Sequence, residues 1–182
     1  FQDLFQIRHN NDRVEVGKVL IAEPFLEGKY FNRSVVYIVE HDDSGSGGFV
    51  LNKPLPYTAS ELVKELDGVY FPVYIGGPVE RNQLYYIHRR NDIPDSVQIT
   101  DGIYWGGDFK AVTEMLQAGK ILQEEIRFFA GYSGWTETQL DNELKENSWM
   151  VGTISADVLF TVPNSGLWEQ VMSSLGGKHK LW

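Results

Sequence analysis

Short runs of apolar residues, many of them β-branched or aromatic, recur along the chain between polar segments. Runs of this length and composition are typical of β-strands. They predict seven strands, at about 18–22, 35–39, 49–51, 73–75, 84–88, 126–130 and 149–154. The Gly/Ser-rich stretch 42–48 is predicted to be a hairpin loop. It is not a phosphate-binding loop, because a strand rather than a helix follows it.

Capping residues and apolar positions at helical spacing predict four helices, at about 58–66, 108–119, 136–147 and 165–176. Thr58 with Glu61, and Thr136 with Gln139, have the spacing of a capping box. Strands and helices are mixed without a regular βαβ alternation. The sequence therefore predicts an α+β fold in which residues 1–182 form a single compact domain, with a mixed β-sheet and flanking helices.

The strongest local pattern is the block 131–144, which Trp149 closes. Gly131 and Gly134 predict a tight turn after the strand 126–130, because glycine adopts backbone angles that other residues avoid. A helix of this length is marginal in water by itself. Trp135 and Trp149 flank it in sequence, so both indoles are expected to be buried and to clamp the helix onto the sheet.

The blocks 17–24, 31–36, 48–55, 76–79 and 131–144 occur in an order that resembles the YqgE/AlgH family of bacterial proteins, and the pairs 159–160 and 167–168 extend the match. The resemblance covers nearly the whole chain. It implies a compact α+β domain with no established activity. The AlgH name comes from a proposed transcriptional role in alginate production, so the resemblance also implies a regulatory function. The family often has alanine in place of Ser133, which argues against an essential role for that hydroxyl.

Composition limits the classes of protein to which the chain can belong. Apolar residues make up 42% of its 182 residues, which is enough for a substantial core, and it has no cysteine for disulfide or thiolate chemistry. No apolar run approaches the roughly 20 residues that span a bilayer. The first residues lack the order of a secretory signal. We expect a soluble cytoplasmic protein with no membrane association.

The formal net charge of −9 argues against direct, tight binding of nucleic acids. Affinity for a phosphate backbone comes mainly from Lys and Arg side chains that release counterions. Here the basic residues are scattered, and the strongest local cluster is 88–90. A transcriptional role would therefore need a partner that supplies the basic surface.

Sequence motifs for catalysis are weak. Ser133 lies between glycines, as in the nucleophile elbow of α/β-hydrolases, but Trp135 occupies the position of the second glycine of that motif. His41, Asp42 and Asp43 could offer metal ligands from one turn, yet the histidine pair and cysteines of common zinc sites are missing. We predict no catalytic residue, no metal and no cofactor.

Four polar residues remain as candidates for binding a ligand or partner: Arg33, Asn52, Gln139 and Glu143. A guanidinium beside an apolar strand either pairs with a carboxylate, such as Glu40 or Glu143, or binds an anionic ligand. Asn52 either fixes a turn or binds a ligand. Gln139 is explained by the capping box. Glu143 has no evident local role, so its carboxylate either pairs with Arg33 or faces a ligand.

Two hypotheses from different classes follow. The first and preferred one is a non-enzymatic regulatory or binding protein that presents a pocket or surface near residues 131–143 to a small molecule or a protein partner. The second is a hydrolase-type enzyme that uses a carboxylate, with Arg33 as an anion clamp. Convergence of the four candidate residues on one concave pocket would favour a common binding site.

Overall fold

A computed structural model describes residues 13–24, 31–161 and 166–174 of the chain. These residues contain ten strands: β1 (Val19–Ala22), β2 (Val35–Asp42), β3 (Gly45–Val50), β4 (Pro54–Thr58), β5 (Pro72–Ile75), β6 (Val79–His88), β7 (Val97–Thr100), β8 (Ile103–Trp105), β9 (Ile126–Thr136) and β10 (Trp149–Gly152). They also contain five α-helices: α1 (Ala59–Leu62), α2 (Phe109–Gln117), α3 (Glu137–Lys145), α4 (Ala156–Thr161) and α5 (Leu167–Ser174). Single 3₁₀ turns follow α1, at Lys64–Leu66, and precede β9, at Gln123–Glu125.

The strands form one large, mostly antiparallel sheet with the order β10-β1-β2-β3-β9-β6-β8-β7. A side branch leaves this path at β9, where β5 pairs with β9 in parallel and β4 pairs with β5. The combination of parallel and antiparallel pairs, with helices packed on the sheet, confirms the predicted α+β class with a mixed sheet.

All seven predicted strands are present, and three unpredicted ones, β4, β7 and β8, join them. The predicted hairpin between β2 and β3 is present, but its loop is shorter than the predicted 42–48, since β3 already begins at Gly45. Three of the predicted helices match α2, α3 and α5, although Ser165 and the Gly176-Gly177 end of the last helix lie outside the described residues. The first is split into α1 and a 3₁₀ turn, and α4 was not predicted.

The central strand β9 runs without a turn from Ile126 to Thr136, so the predicted tight turn at Gly131–Gly134 is wrong. Its first half pairs with β5 and β6, whereas its last residues pair with β3. Gly131 has a φ of +75° at the point where the pairing with β6 shifts register. A Cβ atom on Gly131 would lie 2.6 Å from the Gly77 carbonyl oxygen. The glycine is therefore required by a close approach of two backbones rather than by a turn.

Three apolar clusters pack against the sheet, and β9 contributes to each of them. Phe129 belongs to the cluster that α4 and α5 cover, Phe128 to the cluster beneath α1 and α2, and Trp135 to the cluster beneath α3. Neighbouring residues of a strand point to opposite faces of a sheet. This alternation explains how Phe128 and Phe129 enter different clusters, and it makes β9 the strand that the three clusters share.

Candidate functional site

The carboxylate of Glu143 accepts hydrogen bonds from both tryptophans of the sequence block. Its Oε1 lies 2.9 Å from Trp149 Nε1 and 3.3 Å from Trp135 Nε1. The two indoles are buried and meet edge to face, with ring centroids 5.7 Å apart, and Phe31 contacts both rings. This geometry agrees with the predicted clamp of α3. It also gives Glu143 a structural role, so the predicted pairing with Arg33 is wrong.

Gln139 lies on the exposed side of α3, one turn from Glu143. Its main-chain N–H donates to the Thr136 hydroxyl at 3.1 Å, which is the threonine half of the predicted capping box. At α1 the corresponding prediction is wrong, because the Thr58 hydroxyl donates to the Glu61 carboxylate instead of accepting from the main chain.

Arg33 pairs with Glu169 of α5, with 3.3 Å between Nη1 and Oε1, and its guanidinium lies 4.9 Å from the centroid of the Trp168 ring. The predicted partners, Glu40 and Glu143, are therefore wrong. Both side chains of the observed pair are more than half exposed. Exposed pairs of this kind contribute little to stability. Arg33 also has a φ of +52°, which is uncommon for a residue with a side chain.

Asn52 binds the main chain on both sides of Ser34. Its Nδ2 donates to the Arg33 carbonyl at 2.8 Å, and its Oδ1 accepts from the Val35 N–H at 3.0 Å. The next residue, Lys53, donates to the Asn32 carbonyl at 2.8 Å, and partial burial lowers the pKa of its ammonium group. The Asn52 side chain thus fixes the backbone between Arg33 and the start of β2.

The four candidate residues lie in two places of the described structure. Asn52 and Arg33 meet at the start of β2, whereas Gln139 and Glu143 lie on α3. None of the four residues lines any of the four cavities described below. The convergence that would favour a common binding site is therefore not observed in these cavities.

Ser133 is fully buried within β9, and its hydroxyl donates to the Gly76 carbonyl at 3.0 Å. The same carbonyl accepts from the Val50 N–H at 2.9 Å. A nucleophile elbow needs an exposed serine on a turn between strand and helix. Ser133 has neither property, and its hydroxyl instead joins β9 to the end of β5.

The turn between β2 and β3 is held by its own side chains. The Asp42 carboxylate accepts from the Ser44 N–H and hydroxyl, and these bonds lower its pKa. His41 Nδ1 lies 2.7 Å from the Ser46 hydroxyl. Within the described ranges, no group of three or more histidine, cysteine, aspartate or glutamate side chains could hold a metal ion.

His88 is fully buried at the end of β6. Its Nδ1 accepts from the Arg90 N–H at 3.2 Å, and its Nε2 lies 3.0 Å from the Gly106 carbonyl and 3.1 Å from the Ser96 hydroxyl. These partners fix the neutral ring with the proton on Nε2, which donates to the carbonyl. Burial lowers the pKa of the imidazole, so the neutral form prevails. The histidine is a buried structural group rather than an accessible base.

Two adjoining cavities share Val63 and residues 82–84 of β6 and together form one concave surface. One has a volume of about 470 Å³ and the other of about 540 Å³. We call this combined surface the β6 cleft. Its lining is mainly apolar or aromatic and includes Leu55, Tyr57, Leu62, Val63, Leu84, Tyr85, Tyr86, Trp105 and Phe109.

Two large apolar side chains of the β6 cleft are open to solvent. Tyr57 is 49% exposed and Leu62 is 44% exposed. Among the described residues that line the cleft, Arg81 is the only charged one. This surface was not predicted from the sequence, because each of its apolar residues matches an ordinary core position. The one available signal was Leu62 followed by Val63, which places adjacent apolar side chains at the end of a predicted helix.

Two other cavities are smaller or more polar. A groove of about 460 Å³ lies between the β2–β3 turn and α3, with Leu140 and Leu144 at its base and His41, Asp42, Glu137 and Asp141 among its lining residues. A cavity of about 250 Å³ lies beside Arg127, whose guanidinium is 4.7 Å from the centroid of the Tyr74 ring. None of the helices in the described ranges has the length and apolar character needed to cross a membrane.

Comparison with known proteins places this architecture in a family. A family model described as AlgH-like matches residues 19–180. A UPF0301 protein of Parabacteroides distasonis is 42% identical, over 100% of this chain and 93% of its own length. A UPF0301 protein of Bacteroides fragilis is 39% identical, over 99% of this chain and 92% of its own length.

Solved structures give the same result for the fold. The solution structure of the AlgH protein from Pseudomonas aeruginosa matches with a TM-score of 0.74 and 25% identity, over 96% of this chain and 92% of that one. A crystal structure of a Corynebacterium diphtheriae protein matches with a TM-score of 0.77 and 22% identity, over 93% of this chain and 92% of that one, which supports the fold alone. The family model and the two close relatives together show that the chain belongs to the AlgH-like, UPF0301 family.

Proposed function

We propose that this protein is a non-enzymatic regulatory protein of the cytoplasm, and that it acts by binding a protein partner in the β6 cleft. The observation that supports this proposal is the cleft itself: two adjoining, mainly apolar cavities of about 470 and about 540 Å³. Exposed apolar surface that is continuous in this way is typical of a binding site.

The chemistry of the cleft favours binding over catalysis. Catalysis needs a nucleophile or base with an orienting partner. The titratable groups in the lining are Tyr57, Arg81, Tyr85 and Tyr86, and burial raises the pKa of Tyr85 and Tyr86 to about 12. Tyr85 and Tyr86 are therefore fully protonated near neutral pH, and no histidine or carboxylate is among the described residues that line the cleft. Protonated groups can donate hydrogen bonds, but they cannot act as a base.

The residues that the hydrolase alternative would use already have structural partners, which argues against that alternative. Arg33 pairs with Glu169, and Glu143 accepts from two indoles. Ser133 and His88 are buried in separate hydrogen-bonded settings. Each of these four residues thus has a structural partner and lies outside the lining of the cleft.

Photo-crosslinking in living cells tests the proposed function. A photoreactive phenylalanine analogue replaces Leu62 in the cleft, and a matched variant carries it at Leu122, which is 55% exposed and lies outside the cleft. We expect a discrete protein adduct from position 62 that position 122 does not give. Equal labelling at both positions, or a small-molecule adduct from position 62 alone, would contradict a protein partner in the cleft.

A further inference from the structure

The outer edge of β6 is only partly covered by its neighbour β8. β6 has ten residues, and β8 pairs with Ile87 and His88 at its end. One more bond, from the Gly106 N–H to the Tyr86 carbonyl at 2.9 Å, extends this contact by one residue. The described chain supplies no strand beside residues 82–85 on this side. The cavity of about 470 Å³ occupies that place.

The direction of the Leu84 main chain follows from the bonds of its neighbours. Leu84 stands opposite Ala130 of β9, and the Ala130 carbonyl accepts from the Gly76 N–H on the far side of β9, at 2.8 Å. Two residues that stand opposite each other in an antiparallel pair either exchange two N–H···O=C bonds or direct their N–H and C=O groups away from each other. The N–H and C=O groups of Leu84 therefore point away from β9, towards the open edge.

A second bond gives the same direction independently. Main-chain groups two residues apart in a strand point to the same side. Tyr86 lies two residues after Leu84, and its carbonyl bonds to Gly106 on the β8 side. Leu84 thus directs its main-chain N–H and C=O groups towards the cavity. A further strand that pairs with β6, in line with β8, would bond to these two groups.

The side chains of this edge do not protect it against strand addition. Proteins commonly guard open edges with charged residues or proline. Residues 82–85 are Asn, Gln, Leu and Tyr, and the charged Glu80 and Arg81 precede them. Val63 and Phe109 lie beside Leu84 on one face of the sheet, and Trp105 lies beside Tyr85 on the other. An added strand would find apolar contacts on both of its faces.

We propose that the partner binds by β-strand addition: an extended, apolar segment flanked by basic residues pairs with β6 at Leu84. This inference rests on the proposed function and specifies its binding mode. Main-chain bonds supply affinity in this mode, and pockets for alternate side chains supply specificity. The formal charge of −9 favours basic flanks and disfavours a second copy of the same acidic chain.

A phage-displayed library of random peptides, about 12 residues long, provides a defined probe. The library is selected on the intact protein and depleted on the Leu62→Glu variant. Selected peptides are then synthesised with single N-methyl groups at successive positions. We expect methylation to weaken binding about fivefold at the peptide position that pairs with Leu84, because a blocked bond costs about 1 kcal/mol, and to have little effect at the two positions beside it.

Amide exchange of the protein supplies a second measurement. Binding should slow exchange of the Leu84 N–H and leave that of Tyr85 unchanged, since Tyr85 already faces β9. Peptides that bind the cleft with no position sensitive to methylation, or without protecting Leu84, would overturn strand addition while leaving the proposed function intact. Dimers that the unbound protein forms through β6 would also overturn the proposal. Light scattering detects such dimers.

Discussion

At the scale of single residues, hydrogen bonding inside the tryptophan cluster explains a carboxylate that had no evident local role. A buried indole N–H needs an acceptor. Oε1 of Glu143 serves two of them, at 2.9 and 3.3 Å. Glu143 lies one turn after Gln139 on α3, and its carboxylate is directed at the rings. The block 131–144 is therefore held together by packing and by one shared acceptor.

Truncation of Trp149 should destabilise the protein strongly. The side chain is fully buried and contacts Trp135 and Phe31. We expect Trp149→Ala to lower the free energy of unfolding by about 3–5 kcal/mol, as measured by urea denaturation. Trp149→Phe keeps a ring but removes the N–H donor, and should cost less. A stability of Trp149→Ala close to that of the unmodified protein would mean that the clamp is wrong.

Glu143→Gln should fold, because the amide oxygen still accepts from the indoles. A hydrogen bond to a charged group is stronger than one to a neutral group, so we expect a loss of about 1 kcal/mol. Glu143→Leu removes the acceptor from both Trp135 and Trp149, and its loss should be at least twice as large. Chemical denaturation of the two variants measures the difference. Equal stability of the two variants would show that the bonds to Glu143 contribute nothing.

Ser133→Ala should leave binding at the β6 cleft unchanged and should lower stability by about 0.5–1.5 kcal/mol. The substitution removes the bond to the Gly76 carbonyl, which keeps its bond to the Val50 N–H and is not left unsatisfied. Thermal unfolding and the crosslink from position 62 measure the two properties. Loss of the crosslink at unchanged stability would revive a functional role for this hydroxyl.

At the scale of secondary-structure elements, the end of β6 should make stability depend on pH. His88 is buried in the neutral form, and burial lowers its pKa, whereas the unfolded chain takes up a proton near pH 6.5. Its stabilising contribution is therefore complete above about pH 6.5 and is lost as pH falls through the lower folded-state pKa. The nearby charges of Arg90 and Asp92 act on the ring in opposite directions.

Urea denaturation between about pH 7.5 and 5 tests this dependence. We expect the free energy of unfolding to fall with pH in the unmodified protein and to fall less steeply in His88→Gln. His41→Gln is the matched control, because it removes an exposed imidazole near the end of β2 and leaves His88 in place. Parallel slopes for all three proteins would contradict a neutral, buried His88.

The sequence predicted elements well where an apolar run was long and buried. β4 escaped notice because Pro54 and Pro56 argue against a strand, and the structure places β4 at the outside of the side branch, where it pairs only with β5. β7 and β8 are short and partly exposed, so their apolar residues form no distinct run. The extent of β9 was misjudged because glycines indicate a turn and a close backbone approach equally well.

The candidate site was less predictable than the fold, because side-chain partners depend on tertiary contacts. Glu169, the partner of Arg33, lies 136 positions along the chain. No local pattern selects it over Glu40 or Glu143. The β6 cleft combines side chains from the β4–α1 region, β6 and β8, and it became visible only when these elements had been placed together.

At the scale of the whole molecule, acidity should prevent tight binding to duplex DNA. The formal charge is −9, and the basic cluster 88–90 is used internally: His88 is buried, Arg89 pairs with Asp157, and Arg90 pairs with Asp92 and Glu125. We expect fluorescence anisotropy at physiological salt to show no sequence-selective binding below about 1 μM. Such binding by the isolated protein would contradict this expectation.

The position of β9 in the chain has a consequence for biosynthesis. β3, β5 and β6 all pair with β9, yet β9 is the ninth of the ten strands to leave the ribosome. Until residue 136 has been translated, the nascent chain holds three strands that lack their common neighbour, and their edges are open to wrong partners. Its solubility during translation therefore depends on how quickly β9 follows β6, or on a chaperone that covers those edges in the interval.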